Sequence, residues 1–436
     1  MNLQELKSKK IAILGFGREG KSTLSFLQSI GCENITVLDR VQNAEYRMQD
    51  FQNINFITGE HYLDNLEIYD YIFKSPGISP YTNNLLKYKN KLWSQTKLFF
   101  ELYKGKIITV TQTKGKSTTA TLVYELLNNA GYNVKLVGNI GNPVLDEIDL
   151  NFSYDFIVYE LSSYMLEDLD NHHSFISILG NIFEDHLDWH QGFENYKKAK
   201  LNILNNSENS LIGEDLSKEI IELLQNKNYK TFGLNNSYYS HKGNDFYING
   251  KSIDTEINPI IPGEHNLTNI CAILGVCNIL NIQYETFQKT INSFSGLPHR
   301  LQNIGTYKGI IFIDDAISTT PESTIEGIRS FNQNIGTIFL GGSDRGYKFE
   351  KLISELENKK IFNIVLFPDS GNRIKLLLDE RFKILETKSM QEAVEFAFKN
   401  TKEGEICLLS TASPSYSLWK NFEEKGDEFK KKIMSL

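Results

Sequence analysis

Gly115-Lys116-Ser117-Thr118 follows a β-branched run, Ile107-Ile108-Thr109-Val110. Apolar residues at helical spacing come next (Ala120, Leu122, Val123, Leu126, Leu127). Strand, Gly-Lys-Ser, helix is the layout of a phosphate-binding loop. Backbone N–H groups at the helix start face the phosphates, a lysine neutralises charge on the outer ones, and a hydroxyl sits on Mg²⁺. The chemistry indicated is that of a nucleoside triphosphate. The glycine opening the long form of this pattern would fall on Val110, and that of the shorter G-T-x-G-K-[ST] form on Gln112. Neither position is glycine, so an ordinary helix start stays open as the alternative. A left-handed backbone at Gln112 would cost about 1 kcal/mol.

Other groups able to do chemistry stand at strand ends. Gly15-Phe16-Gly17-Arg18-Glu19-Gly20 follows a strand and opens a helix ending near Gly31, and Asp39 closes the next strand, Ile35 to Leu38. This is a dinucleotide-type fingerprint, with an acid placed for ribose hydroxyls, and other nucleotides use the same fold. Asp70 to Lys74 runs into Ser75-Pro76-Gly77, a polar turn at the carboxyl end of a strand, where open α/β sheets bind ligands. Phe156 to Glu160 leads into Leu161-Ser162-Ser163. A carboxylate there is costly unless paired or metal-bound, and oxygen ligands suit Mg²⁺; the serines serve equally as helix caps. Glu184-Asp185-His186 follows the apolar run Phe175 to Leu179, which makes His186 a ligand or general base in such a cluster. His172, His173 and His190 read as surface or structural, and Lys200 lies on a helix that is otherwise a solvated face. Gly263-Glu264-His265-Asn266 opens another helix, where Asn266 and Asn269 share a face. Two such amides can hydrogen-bond a purine edge or cap the helix. Pro298-His299-Arg300 sits at a domain boundary, where an arginine can neutralise phosphate or brace an interface.

The elements that position these groups alternate strand and helix almost throughout, which predicts an α/β fold with mainly parallel sheets. Strand-turn-helix units restart at Lys10, Ile107 and Gly309, so three domains are expected, 1–95, 96–298 and 299–436. The first and third are Rossmann-like. The central one is a P-loop ATPase-like sheet with a small antiparallel extension between Leu211 and Ile257. The 436 residues carry a net charge of −8, without the basic footprint of a nucleic-acid binder. Four scattered cysteines (Cys32, Cys271, Cys277, Cys407) fit a reducing cytoplasm. The start, MNLQELKSKK, lacks an apolar signal core, and no window approaches 18 uncharged apolar residues. Neither secretion nor membrane spanning is expected.

Taken in order, KGKST, ELSS, EDHLD with Tyr196 to Lys200, GEHNLTN, LPHR and Asp314-Asp315 resemble the Mur ligases, the ATP-dependent amino-acid-adding enzymes of peptidoglycan synthesis. The closing block, with Leu340-Gly341-Gly342, Leu408-Leu409-Ser410 and Ser415 to Phe422, is most similar to the glutamate-adding member. The resemblance spans almost the whole chain. It implies a cytoplasmic, monomeric ligase serving cell-wall biogenesis, cell shape and division. Its substrates would be ATP with Mg²⁺, UDP-N-acetylmuramoyl-L-alanine and D-glutamate, and its route an acyl phosphate. Gly17, Arg18, Asp39, Ser75 and Gly77 would hold the uridine nucleotide, and Asn139 and Ser162 would face the muramoyl group. Lys114, Gly115, Lys116, Ser117, Thr118, Asn269, Arg300 and Asp315 would hold ATP. Ser117, Glu160, His186 and a carbamylated Lys200 would hold metal, with Lys116, His186 and Lys200 catalytic. Thr319, Arg345, Ser415 and Phe422 would place glutamate. The chain departs from the family pattern at Gln112 (glycine), Lys114 (asparagine), Gln302 (glutamate), Ala316-Ile317 (Ser-Lys) and Arg345 (lysine). These changes bear on glutamate handedness more than on reaction class. An L-glutamate-adding variant and a weakly active UDP-sugar-binding protein remain as alternatives. A folate polyglutamate ligase would lack the first GxGxxG domain, and nothing beyond GxGxxG and Asp39 favours a nicotinamide oxidoreductase.

Overall fold

The computed structural model describes residues 3–40, 54–81, 85–138, 143–147, 149, 152–169, 172–214, 216, 220, 222, 228–234, 236–261 and 263–436. Its strands form three sheets. The first contains β1 (Ile11–Leu14), β2 (Ile35–Asp39), β3 (Asn55–Thr58), β4 (Tyr71–Lys74) and β5 (Leu92–Trp93), in the order β3-β2-β1-β4-β5 and parallel throughout. Every residue of β1 is buried. Apolar clusters lie on both faces of the sheet: Ile11, Ile13 and Val37 with Leu24 and Leu27 on one, Ala12, Leu14 and Leu38 with Leu66 and Leu85 on the other. That two-sided burial is why parallel strands read as unbroken apolar runs rather than alternating ones.

The second sheet holds β6 (Ile107–Thr111), β7 (Val134–Gly138), β8 (Phe156–Glu160), β9 (Ser174–Leu179), β10 (Ser207–Gly213), β11 (Tyr229–Gly233), β12 (Tyr239–Lys242), β13 (Asp245–Ile248) and β14 (Lys251–Ser252). Their order is β14-β13-β12-β11-β10-β9-β6-β8-β7. The expected antiparallel extension is smaller than its sequence span. β10, β11 and β12 pair parallel and continue the main sheet, and only the pairings of β12 with β13 and of β13 with β14 are antiparallel. Sequence could not separate these cases, because short strands with Asn and Gly turns fit either pairing. The third sheet holds β15 (Gln302–Tyr307), β16 (Ile310–Asp314), β17 (Ile335–Gly341), β18 (Asn363–Phe367), β19 (Lys383–Glu386) and β20 (Ile406–Leu409), in the order β15-β16-β20-β17-β18-β19. Only β15 is antiparallel to its neighbour.

The chain folds as two compact units, residues 1–294 and 295–436. The first two sheets share a unit because the helix Gln95–Leu102 packs toward both. Leu98 joins the first sheet's core, Phe99 and Phe100 join the second's, and Gln95 Nε2 donates to Ser22 Oγ at 2.9 Å. Ser94 caps this helix, accepting from the Lys97 N–H. Among the described residues no helix is long and apolar enough to cross a membrane.

Candidate functional site

The strand β6 ends at Thr111, and the helix Lys116–Asn129 begins five residues later. Gly115 caps that helix at φ +94, a backbone conformation that favours glycine. Gln112 is absent from the left-handed residues of the described chain, so the strain expected there does not arise. The loop is pinned by Asn181, whose Oδ1 accepts from the Lys114 N–H at 2.9 Å while its Nδ2 donates to the Lys114 carbonyl at 3.0 Å. Thr113 adds a second tie, its hydroxyl accepting from the Phe183 N–H and meeting the Tyr196 hydroxyl at 2.7 Å. Lys116 Nζ donates to the Thr113 carbonyl at 3.1 Å.

Parallel pairing sets Val110 beside Glu160, which brings the end of β8 level with the loop. Glu160 is fully buried, and Ser117 Oγ donates to its Oε1 at 3.2 Å. Lys200 is reached through the helix Phe193–Leu201. It is not on a solvated face. It is 1% exposed, and its Nζ donates to Thr111 Oγ1 at 3.1 Å and to the Gln112 carbonyl at 3.0 Å. Burial, and secondarily the Lys116 charge, hold its amine well below the ordinary lysine range. His186 has a left-handed backbone, half-exposed, beside Asp185 (3.6 Å) and against the Tyr164 ring. Desolvation lowers its pKa, Asp185 opposes that shift, and the Lys116 charge adds to it. Its neutral imidazole is therefore available as a ligand or base.

Among the described residues no group of three or more His, Cys, Asp and Glu is arranged to hold a metal. The donors that do gather are a buried carboxylate, Glu160, and a hydroxyl, Ser117. They suit a hard cation that also takes phosphate oxygens, as Mg²⁺ does. As an amine Lys200 offers no oxygen donor of the kind Mg²⁺ takes.

The N-terminal loop is built around its glycines. Gly15 sits at φ +89, and a Cβ on Gly20 would lie 2.0 Å from the Gly15 carbonyl oxygen. Asp39 Oδ2 accepts from the Phe16 N–H at 2.7 Å, so one carboxylate oxygen holds the loop itself. Ser75 Oγ donates to the Gly15 carbonyl at 2.9 Å, joining the second polar turn to the first. Gly17 and Gly77 have open space where a side chain would stand, and Arg18 is exposed beside them. Ser162 acts as a helix cap, accepting from the Met165 N–H at 3.3 Å. Asn139 lies outside the described residues. His190 is buried, between Ser163 Oγ (3.0 Å) and Glu167 (3.3 Å). His172 is buried and His173 exposed.

Asn269 is buried on the helix Glu264–Ile279, its Nδ2 3.5 Å from Asn266 Oδ1. Sequence reasoning missed its other partner. Gln112 Nε2 donates to Asn269 Oδ1 at 3.1 Å and to Thr119 Oγ1 at 3.2 Å. Asn181 was missed as well; its place three residues before the Glu-Asp-His run was the only available signal.

In the second unit Asp315 is 2% exposed, accepting from the Leu301 N–H at 3.2 Å and from Ser410 Oγ at 2.7 Å. Burial pushes its carboxyl up to about 6. Arg300 is exposed nearby, and its charge acts on Asp315. Thr319, Arg345, Ser415 and Phe422 line one cavity of about 410 Å³, together with Ile317, Tyr347, Pro414 and Tyr416. Ser415 is 3% exposed, and its Oγ has no hydrogen-bond partner among the described residues. A buried hydroxyl in that state costs free energy until something bonds it. Tyr347 and Tyr416 had no signal in the sequence, since their place in the wall comes from loop geometry.

The sequence profile of the MurD-like N-terminal domain of Mur ligases matches residues 9–92, and that of the Mur ligase middle domain matches residues 110–277. The UDP-N-acetylmuramoylalanine–D-glutamate ligase of Ligilactobacillus salivarius is 33% identical, over 98% of this chain and 96% of its own. The one from Clostridioides difficile is 31% identical, over 99% of this chain and all (100%) of its own. Among solved structures, MurF ligase from Thermotoga maritima in complex with ADP shares the fold, with a TM-score of 0.57 and 16% identity over 100% of this chain and 97% of that one. Matched at these identities from end to end, the chain belongs to the Mur ligase family.

Proposed function

We propose that the chain is an ATP-dependent ligase that joins D-glutamate to the carboxylate of UDP-N-acetylmuramoyl-L-alanine, a step of peptidoglycan synthesis. The observation that carries this reading is the meeting of Lys116, the Ser117–Glu160 pair and buried Lys200 at the carboxyl ends of β6 and β8. Full-length similarity to enzymes named for that reaction supports it. A carboxylate is a poor electrophile. Its oxygen attacks the γ-phosphorus, ADP leaves, and an acyl phosphate forms. The glutamate amine then attacks the acyl carbon, phosphate leaves, and the amine gives up a proton. Charge neutralisation and positioning supply most of the acceleration in such transfers.

The roles proposed are those the family resemblance implies. Lys116 takes charge on the outer phosphates, with Lys114, Gly115 and Thr118 around them, and Asn269, Arg300 and Asp315 hold the rest of the nucleotide. Ser117, Glu160 and His186 hold Mg²⁺, which when bound supplies further neutralisation. Lys200 is buried, and burial favours its uncharged form, the form in which an amine adds CO₂; its carbamate would join that set. Gly17, Arg18, Asp39, Ser75, Gly77, Asn139 and Ser162 bind the UDP-linked substrate. Thr319, Arg345, Ser415 and Phe422 take glutamate, the unbonded Ser415 hydroxyl donating to it. Three functional lobes divide near residues 95 and 298, in a monomer working in the cytoplasm.

Phosphate release in the full-length protein tests this. Release is expected to need ATP, the UDP-linked substrate and D-glutamate together. Lys116→Ala should lower it about 10²–10³-fold with the melting temperature kept. Ile317 and Arg345 in the glutamate cavity favour one second reading, the L-glutamate-adding variant; release with L-glutamate alone would establish it. No release with either amino acid leaves a UDP-sugar-binding protein.

A further inference from the structure

We propose that Gln112 is a positioning residue for the nucleotide, fixing the rotation of the Asn269 amide beside the phosphate loop. This rests on the assignment of Asn269 to the nucleotide made above. Gln112 is 1% exposed and stands where the phosphate-loop pattern has glycine. Both hydrogens of its amide are used, one on Thr119 Oγ1 and one on Asn269 Oδ1. Room for this side chain comes from Gly180, where a Cβ would lie 1.8 Å from Gln112 Oε1 and 2.8 Å from Gln112 Cβ. Gly115 is bare for a related reason. A Cβ there would lie 2.5 Å from Gln112 Nε2 and 2.9 Å from Asn269 Nδ2. The two amides therefore stand side by side against the loop glycine.

An asparagine amide has two edges of almost the same shape, one an acceptor and one a donor. Nothing steric chooses between them. Gln112 chooses by chemistry, because its N–H accepts no bond and can meet only the oxygen of Asn269. The NH₂ edge is thereby turned toward Asn266 and Gly115. A purine that meets Asn269 finds a donor already aimed, which suits a ring nitrogen acceptor. Without Gln112 only the long 3.5 Å contact to Asn266 Oδ1 would hold that rotation, and binding would have to supply the rest of the selection.

The test uses the full-length chain with Mg²⁺ and titrates ATP calorimetrically into four forms: unaltered, Gln112→Met, Asn269→Ala and the double variant. Methionine keeps length and packing against Gly180 but carries no amide. Gln112→Met should weaken ATP about three- to tenfold, the worth of one neutral hydrogen bond. In the Asn269→Ala background the same change should alter affinity by less than about twofold, because the residue it acts through is gone. Losses that multiply would show that Gln112 only shapes the loop, and overturn the proposal. So would unchanged affinity in Gln112→Met when Asn269→Ala weakens ATP. If Asn269→Ala itself leaves affinity unchanged, the assignment of Asn269 fails and this proposal with it. Gln112→Gly, which cannot clash with Gly180, gives the same comparison should the methionine variant misfold.

Discussion

Asp315 shows how a single residue can trade stability for a site. Its carboxyl is raised from 3.8 to about 6, first by burial, against hydrogen bonds from Ser318, Ser410 and the Leu301 N–H and the pull of Arg300. The folded chain therefore holds a proton at pH values where the unfolded chain has lost it. The stability tied to that proton is complete below about pH 4 and disappears as pH rises through about 6. Asp315→Asn is isosteric and needs no charge. Relative to the unaltered chain it should be more stable at pH 7.5, by on the order of 1–3 kcal/mol, with the gain vanishing by about pH 4. Nucleotide affinity should fall in the same variant. Calorimetric melts across that range decide the matter, and a gain that does not depend on pH would refute the assigned cause. Gln112 makes a related point in packing. Its φ is not left-handed, and the space it needs comes from Gly180 rather than from its own backbone.

Among the elements, β1, its loop and the helix Arg18–Ser29 form the unit whose geometry is most tightly constrained. Gly20 and Gly17 lie three residues apart but do different work. A methyl group on Gly20 would meet the Gly15 carbonyl at 2.0 Å, whereas one on Gly17 meets nothing within 4 Å. Gly17 also has φ −76, which alanine adopts freely. Gly20→Ala is expected to destabilise the chain by roughly 1–3 kcal/mol through forced separation of helix and loop. Gly17→Ala should leave melting within about 0.5 kcal/mol of the unaltered chain while weakening the UDP-linked substrate, because its methyl enters the open seat. Paired denaturation and substrate titration check this; equal stability losses in the two variants would contradict the division of roles.

Within residues 1–294 the two sheets are joined by polar groups as well as by the helix Gln95–Leu102. Lys74, at the end of β4, is 2% exposed, with its Nζ 2.9 Å from Asp168 Oδ2 and 5.4 Å from the Trp189 ring. Beside it Glu19 is pushed up to about 7 by burial, the Lys74 charge opposing. Removing one partner of a buried pair strands the other, at about 3–5 kcal/mol. Lys74→Met should lower stability on that order, and adding Asp168→Asn should recover part of the loss. Chemical denaturation of both variants measures it, and a Lys74→Met chain as stable as the original would show that the pair does not join the lobes. None of this was visible beforehand. Lys74 read only as the last residue of a strand, because its partner is 94 positions away in the chain. What the sequence determined by itself was local. Apolar runs gave the buried parallel strands, and glycines and polar turns marked their carboxyl ends. The order of those motifs marked the family, since each depends on neighbours a few residues apart. The tertiary structure alone decided which distant groups meet. It buried Lys200 under Thr111 and Gln112, set Gly180 against Gln112, and gathered Ile317, Arg345 and Ser415 around one cavity. Such meetings depend on strand order and helix packing, which bring together residues whose separation along the chain carries no periodic signal.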